Sequence, residues 1–226
     1  MGQETDQDPG SARFRASQRT YYDQRAPDFG DAARPDRRID GNPPRELIAA
    51  LVDELAPTGD VLELGCGSGG ITRELLRHAR TVTAVDGSRQ MLERNRREVG
   101  GRDVTYVHAD IFEWRPDRQY DAVYFGFWLS HVPPDSFATF WALVRACLRP
   151  GGRVGFVDED DRAAPNDEVR LVDGVPVATR TLHDGRRFDI VKVFWDPAAL
   201  EARLRTLGWD IAVRRAGETV LYGSGT

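Results

Sequence analysis

Three carboxylates and a cluster of glycines carry the strongest chemical signal in this chain. Glu63 precedes Gly65, Gly67, Gly69 and Gly70; Asp86 follows one element later, and Asp110 one element after that. Glycines at such steps turn the chain sharply and leave bare backbone for a ligand to approach. The apolar spacing over 71–79 predicts a helix behind the turn. Unpaired N–H groups at a helix start attract a carboxylate or a phosphate. An acid at the tip of the next strand suits the hydroxyls of a ribose. Two readings fit. Gly65, Gly67 and Gly70 satisfy the dinucleotide spacing G-x-G-x-x-G, with Asp86 at about the expected distance. Gly65, Gly67 and Gly69 satisfy the tighter E-x-G-x-G-x-G, with Glu63 as its acid.

The elements that must position these residues alternate. Apolar runs at 61–64, 81–86, 104–110, 120–125 and 153–157 read as strands. Helical spacing appears at 46–55, from an N-cap at Ser88 to 99, and from a cap at Asp135 or Ser136 to 148, where Pro150, Gly151 and Gly152 stop it. This order predicts an α/β fold with a doubly wound, mostly parallel, seven-stranded Rossmann-like sheet. The stretches 175–182 and 187–195 alternate around His183, Asp184 and Gly185, which predicts a β-hairpin inserted after the fifth strand. A helix over 197–207 and closing strands over 209–222 complete the sheet. Upstream, 14–31 holds Tyr21, Tyr22 and Phe29 among charges, a helix expected to cap the site. Residues 1–12 are expected to lack structure, and 34–44 form a charged, proline-broken loop. The chain thus reads as one domain over 13–226, with an N-terminal cap at 13–45 and the hairpin at 172–196.

Composition narrows the class. A chain of 226 residues has enough length for one domain with a real core. Its net charge of −5 gives no bulk attraction to nucleic acid or anionic membranes. It carries no apolar run of membrane-spanning length. A cytoplasmic protein working on a small molecule, as a monomer or homodimer, is expected. Cys66 and Cys147 have neither metal-ligand spacing nor a disulfide framework, and Cys66 reads as a small residue in the glycine turn. The acidic run 158–161 reads as a solvated loop, and no metal is expected. Lys192 is the only lysine, and it lies inside an apolar strand pattern. Burying an ammonium is costly unless it is paired.

Methyl transfer from S-adenosyl-L-methionine needs a glycine turn for the methionine end, a second-strand acid for the ribose and a third-strand acid for the adenine amine. Glu63 to Gly70, Asp86 and Asp110 occur in that order. With the motifs ELGCGSGG, AVDGS, HADIF, YDAVYFG and LRPGGRVGFVDE, the chain resembles the class I S-adenosylmethionine-dependent methyltransferases. The resemblance implies S-adenosyl-L-methionine as cofactor and S-adenosyl-L-homocysteine as product. It implies that Glu63, Gly65 and Gly67 approach the methionine portion. Asp86 would bind the ribose, with Gly87, Ser88 and Met91 nearby, and Asp110 and Ile111 would hold the adenine. Phe125 and Gly126 would floor the site beneath the sulfonium, and Tyr22 would close it.

Segments at 116–121, 128–133 and 181–194 resemble one subgroup, which includes the phosphonate O-methyltransferase of dehydrophos biosynthesis. That resemblance places Arg180, Lys192 and His131 against the acceptor. A phosphonate is already ionised near neutral pH, so its oxygen needs placement more than a base. Arg180 could hold two oxygens in its planar fork, and Lys192 could add a point charge. They share a face only if His183, Asp184 and Gly185 form the hairpin loop; a shorter loop flips one of them away. The segment 31–44 lacks the tyrosine with which the resembled enzyme also contacts its substrate. A carboxylate acceptor therefore stays open, as does a hydroxyl or amine with His131 as base. A nicotinamide oxidoreductase and a non-catalytic binding module are the remaining alternatives.

Overall fold

The structure is a computed structural model that describes residues 9–29, 44–101 and 103–226. Most of the loop expected over 34–44 lies outside these residues. Helix α1 (Pro9–Arg25) begins inside the stretch expected to lack structure. It is followed by α2 (Arg45–Leu55), β1 (Gly59–Leu64), α3 (Gly70–Leu75), β2 (Ala79–Asp86), α4 (Arg89–Glu98), β3 (Val104–His108) and β4 (Tyr120–Gly126). Next come α5 (Phe137–Cys147), β5 (Leu148–Glu159), β6 (Val169–Val172), β7 (Val175–Thr181), β8 (Arg187–Val191), α6 (Pro197–Thr206), β9 (Ile211–Ala216) and β10 (Val220–Gly225).

The main sheet runs in the order β3-β2-β1-β4-β5-β10-β9. Strands β1 to β5 are parallel, and β10 is antiparallel to both of its neighbours. The expected α/β class with a doubly wound, mostly parallel sheet holds. Strand order reverses between β1 and β4, and in open sheets of this kind ligands bind outside the carboxyl ends of the strands at that point.

Helices cover both faces. Phe137, Trp141 and Val144 of α5 and Leu200 and Leu204 of α6 pack with Leu62, Leu64, Val123 and Phe125. Ile48, Leu51 and Val52 of α2 and Leu92 of α4 pack with Val61, Val82, Ala84 and Tyr124. Each fully buried side chain of this size contributes about 1.5–3 kcal/mol.

Several boundaries differ from expectation. Helix α3 is shorter because Ala79 already pairs with Gly59 in the sheet. Helix α5 ends at Cys147, and Leu148 pairs with Tyr120, so Pro150 to Gly152 lie within β5. Proline biases the residue before it, Arg149, toward extended backbone. The insertion is a three-stranded antiparallel sheet, β6-β7-β8, rather than a lone hairpin. The acidic run is not a solvated loop: β5 continues to Glu159, and Asp158 and Asp160 are fully buried.

Strands β7 and β8 pair with Arg180 opposite Phe188 and Thr181 opposite Arg187. The N–H of Leu182 donates to the Arg186 carbonyl at 2.9 Å, leaving His183, Asp184 and Gly185 as the loop, with Gly185 at φ +86°. The N–H of Lys192 donates to the Pro176 carbonyl at 3.0 Å, in the same register. Arg180 and Lys192 therefore share one face. Helix α1 packs on this small sheet through Phe14, beside Val177 and Val191, and through Tyr21, beside Leu182 and Ile190.

Candidate active site

A cavity of about 570 Å³ opens at the carboxyl ends of β1, β2 and β4. Its floor is the glycine turn. Gly65 and Gly67 adopt φ +70° and +49°, conformations that favour glycine. A Cβ on Gly65 would lie 2.9 Å from the Trp128 ring. Asp86 ends β2 and ties the turn to the next helix. One of its oxygens accepts from the Gly67 N–H and the other from the Ser88 N–H, both at 2.8 Å. Burial pushes its carboxyl above the usual range, against those two donors. Ser88 caps α4 by accepting from the Met91 N–H at 3.1 Å.

Glu63 lies at the end of β1, where burial raises its pKa to about 8 although Thr72 donates to it at 2.6 Å. Asp110 accepts from the Phe112 N–H at 3.0 Å and pairs with Arg19 of α1. Gly87, Ile111 and Gly126 complete this end. Phe125 does not belong to it: its ring is fully buried in the core, stacked 5.4 Å from Phe156. Side chains alternate along a strand, so the glycine beside it reaches the cavity while Phe125 points into the helix layer.

The roof is α1. Arg15, Gln18, Arg19, Tyr22 and Arg25, at helical spacing, line the cavity. Gln18 was not singled out in the sequence. Its Oε1 is buried without a partner, as is the indole N–H of Trp128 opposite, and both residues line the cavity. Unsatisfied buried polar atoms of this kind fit a ligand with its own donors and acceptors.

At the far end, Phe127 adopts φ +53°, an unusual conformation for a side chain of its size. It turns the chain out of β4 so that Trp128 and His131 face the cavity. Nδ1 of His131 lies 2.8 Å from the Val191 carbonyl, which can only accept, so this nitrogen carries the proton. Nε2 then accepts from the Tyr22 hydroxyl at 2.9 Å. Burial, reinforced by Lys192, lowers the His131 pKa to about 3.

Arg180 of β7 and Lys192, just after β8, both reach this end, and each arrives paired. Arg180 makes a two-pronged contact with Asp167 at 2.6 and 2.5 Å. Lys192 pairs with Glu159, and its ammonium donates to Ser130 at 3.4 Å. Neither carboxylate partner was anticipated. Glu159 belongs to the acidic run that the sequence reads as a solvated loop, and Asp167 carries no signal beyond its place before the insertion.

Cavity, switch point and carboxylate register are those of an enzyme with a nucleotide cofactor. A family model described as a methyltransferase domain matches residues 61–152. An uncharacterized methyltransferase of Mycobacterium tuberculosis is 27% identical over 181 residues, which cover 77% of this chain and 89% of that protein. A trans-aconitate 2-methyltransferase of an Enterobacter species is 34% identical over 144 residues, covering 61% of this chain and 55% of the other. Among solved structures, the DhpI-SAM-HEP complex superposes with a TM-score of 0.80 at 39% identity, covering 97% of this chain and 99% of DhpI.

The chain belongs to the S-adenosylmethionine-dependent methyltransferases, and S-adenosylmethionine is its methyl donor. This removes the nicotinamide oxidoreductase from the two readings of the glycine turn. No described helix is long and apolar enough to cross a membrane.

Proposed function

We propose that this protein transfers a methyl group to an oxygen of a small anionic metabolite, a phosphonate by preference, in the biosynthesis of a natural product. The single observation that carries this reading is the shared face of Arg180 and Lys192 at the end of the cavity away from Asp86 and Asp110. Near-full-length likeness to DhpI, the dehydrophos methyltransferase, supports a phosphonate over other anions.

Bound S-adenosylmethionine supplies an electrophilic methyl group on a sulfonium. Asp86 is the group for the ribose, Asp110 and Ile111 for the adenine, and Glu63, Gly65 and Gly67 for the methionine portion. Gly87, Ser88, Met91 and Gly126 shape the walls between them. The remaining work is placement. Arg180 and Lys192 hold the spectator oxygens, so that a free anionic oxygen lies in line with the methyl carbon, about 3–3.5 Å away. Cations on the attacking oxygen itself would lower its nucleophilicity. Tyr22 closes the wall between cofactor and acceptor.

A hydroxyl or amine acceptor with His131 as general base has less support. The ring gives one nitrogen to Val191 and the other to Tyr22, and its pKa of about 3 makes it a weak base.

The test is incubation with labelled S-adenosylmethionine and a panel of phosphonates, carboxylates and phenols, with products resolved by mass spectrometry. Methyl esters of anionic acceptors are expected. Methylation of neutral phenols alone would defeat the proposal.

A further inference from the structure

We propose that Glu159 is a specificity-determining residue that selects acceptors carrying an ammonium group close to the anionic one, so that the preferred substrate is a zwitterion. This rests on the anionic-acceptor reading above and narrows it.

The argument starts from the charges at the acceptor end. Lys192 and Glu159 both line the cavity, with side chains only 5% and 15% exposed. The neighbouring Arg180–Asp167 pair is also largely enclosed, at 9% and 12%. A third acid, Asp158, sits fully buried behind Lys192, accepting from the Ser130 and Glu159 N–H groups at 2.9 and 2.8 Å. His131 adds no charge. The acceptor end is therefore not a bare cationic basket: Arg180 and Lys192 each already have a carboxylate.

An anion arriving at Lys192 must share the ammonium with Glu159 or displace it. Displacement strips a largely buried carboxylate of its partner, which is strongly unfavourable. Sharing sets two like charges side by side in a poorly screened site. An acceptor with both signs avoids both penalties. Its anion takes Lys192 and its ammonium takes Glu159, so one internal pair is exchanged for two intermolecular pairs and no buried charge is orphaned. Lys192 and Glu159 are in direct contact, and both line the same cavity as Arg180 and Tyr22, so one small molecule can meet the cationic and the anionic handle together.

The same pairing sets which atom is methylated. An amine held as ammonium against Glu159 has no lone pair to attack the sulfonium, whereas the anionic oxygen keeps its own. Glu159 thus favours ester formation on an acceptor that offers both nucleophiles.

The test is calorimetric titration of the protein–S-adenosylhomocysteine complex, at a pH where both phosphonates are dianions and the amine is still an ammonium, with ethylphosphonate and aminoethylphosphonate. These differ only in the ammonium. The amino compound should bind at least about tenfold more tightly, as expected where a repulsive contact becomes an attractive one. Glu159→Gln should abolish that preference while leaving ethylphosphonate binding equal or tighter, with S-adenosylhomocysteine affinity as the control for folding. Equal or weaker binding of the amino compound by the unaltered protein overturns the proposal, whatever the variant does. So does a preference that survives in Glu159→Gln. If ethylphosphonate binds and shows no disadvantage, only this inference fails. If neither phosphonate binds, the phosphonate preference of the proposed function fails with it.

Discussion

The Tyr22 hydroxyl donates to Nε2 of His131 at 2.9 Å, joining the roof helix to the turn after β4. The opposite ring nitrogen donates to the Val191 carbonyl at 2.8 Å, so the imidazole is held from both sides in one tautomer. Burial first, and Lys192 second, keep it neutral down to about pH 3.

His131 should therefore show no titration between about pH 5 and 8, the window in which an ordinary histidine changes charge. Ring-nitrogen NMR shifts of the labelled protein check this, and a midpoint near the ordinary histidine value of 6.5 would refute it. The unfolded chain takes up a proton below that value while the folded chain does not, so this group's contribution is lost as pH falls from 6.5 toward 3. His131→Gln should flatten that limb. Tyr22→Phe leaves Nε2 without its donor, and the His131 pKa should shift.

Glu63 gives the opposite sign. Its carboxyl is held protonated to about pH 8, well above the ordinary glutamate value of 4.5. The stability it contributes to the unliganded protein is full below 4.5 and is lost as pH rises toward 8. A cationic group seated against Glu63 would favour the ionised form. S-adenosylhomocysteine binding near neutral pH should then release a proton, measured as a dependence of the calorimetric enthalpy on buffer ionisation. In Glu63→Gln that dependence should vanish. Unchanged buffer dependence in the variant would place the proton elsewhere.

How much of this was legible in the sequence depended on whether the signal was local. The glycine turn, Asp86 and Asp110 were legible because each is bound to one strand end, and strand periodicity locates strand ends. The shared face of Arg180 and Lys192 was legible as a condition on loop length, because a hairpin has a period of two. Phe125 was misplaced for the same local reason. It sits one step before Gly126 on a strand buried on both faces, where an apolar run gives no alternation to tell cavity from core. Asp158 and Glu159 looked solvated because acid runs usually are, and only the sheet shows β5 carrying them inward. Gln18, Asp167 and the ion pair of Lys192 with Glu159 join segments far apart in sequence, and no spacing rule reaches that far.

The placement of Phe125 has its own consequence. Its ring meets Phe140, Trp141 and Phe156 edge-on or stacked at 5.2 to 5.7 Å. Phe125→Ala should cost about 3–5 kcal/mol of stability, as a truncated core aromatic does. Phe125→Leu should cost less, and S-adenosylhomocysteine affinity should stay within about threefold in folded protein, since a change of one factor of ten needs 1.4 kcal/mol at the site itself. Denaturant melts and calorimetry separate the two effects. A large affinity loss in a stable Leu variant would return Phe125 to the cofactor floor.

The Arg180–Asp167 pair separates holding the fold from holding the substrate. Arg180→Met leaves Asp167 enclosed without its partner, and breaking one side of such a pair costs about 3–5 kcal/mol. Replacing both, Arg180→Met with Asp167→Leu, removes the orphaned charge and should recover most of that stability. It should not recover function. If Arg180 grips the acceptor, both variants should show KM for the anionic acceptor raised at least about tenfold, equivalent to 1.4 kcal/mol of lost binding. S-adenosylhomocysteine affinity should change little in either. Arg180→Lys keeps the charge and loses the planar fork, so it should lie between them in KM. If the double variant regains wild-type KM along with its stability, Arg180 serves the fold alone, and Lys192 holds the acceptor without it.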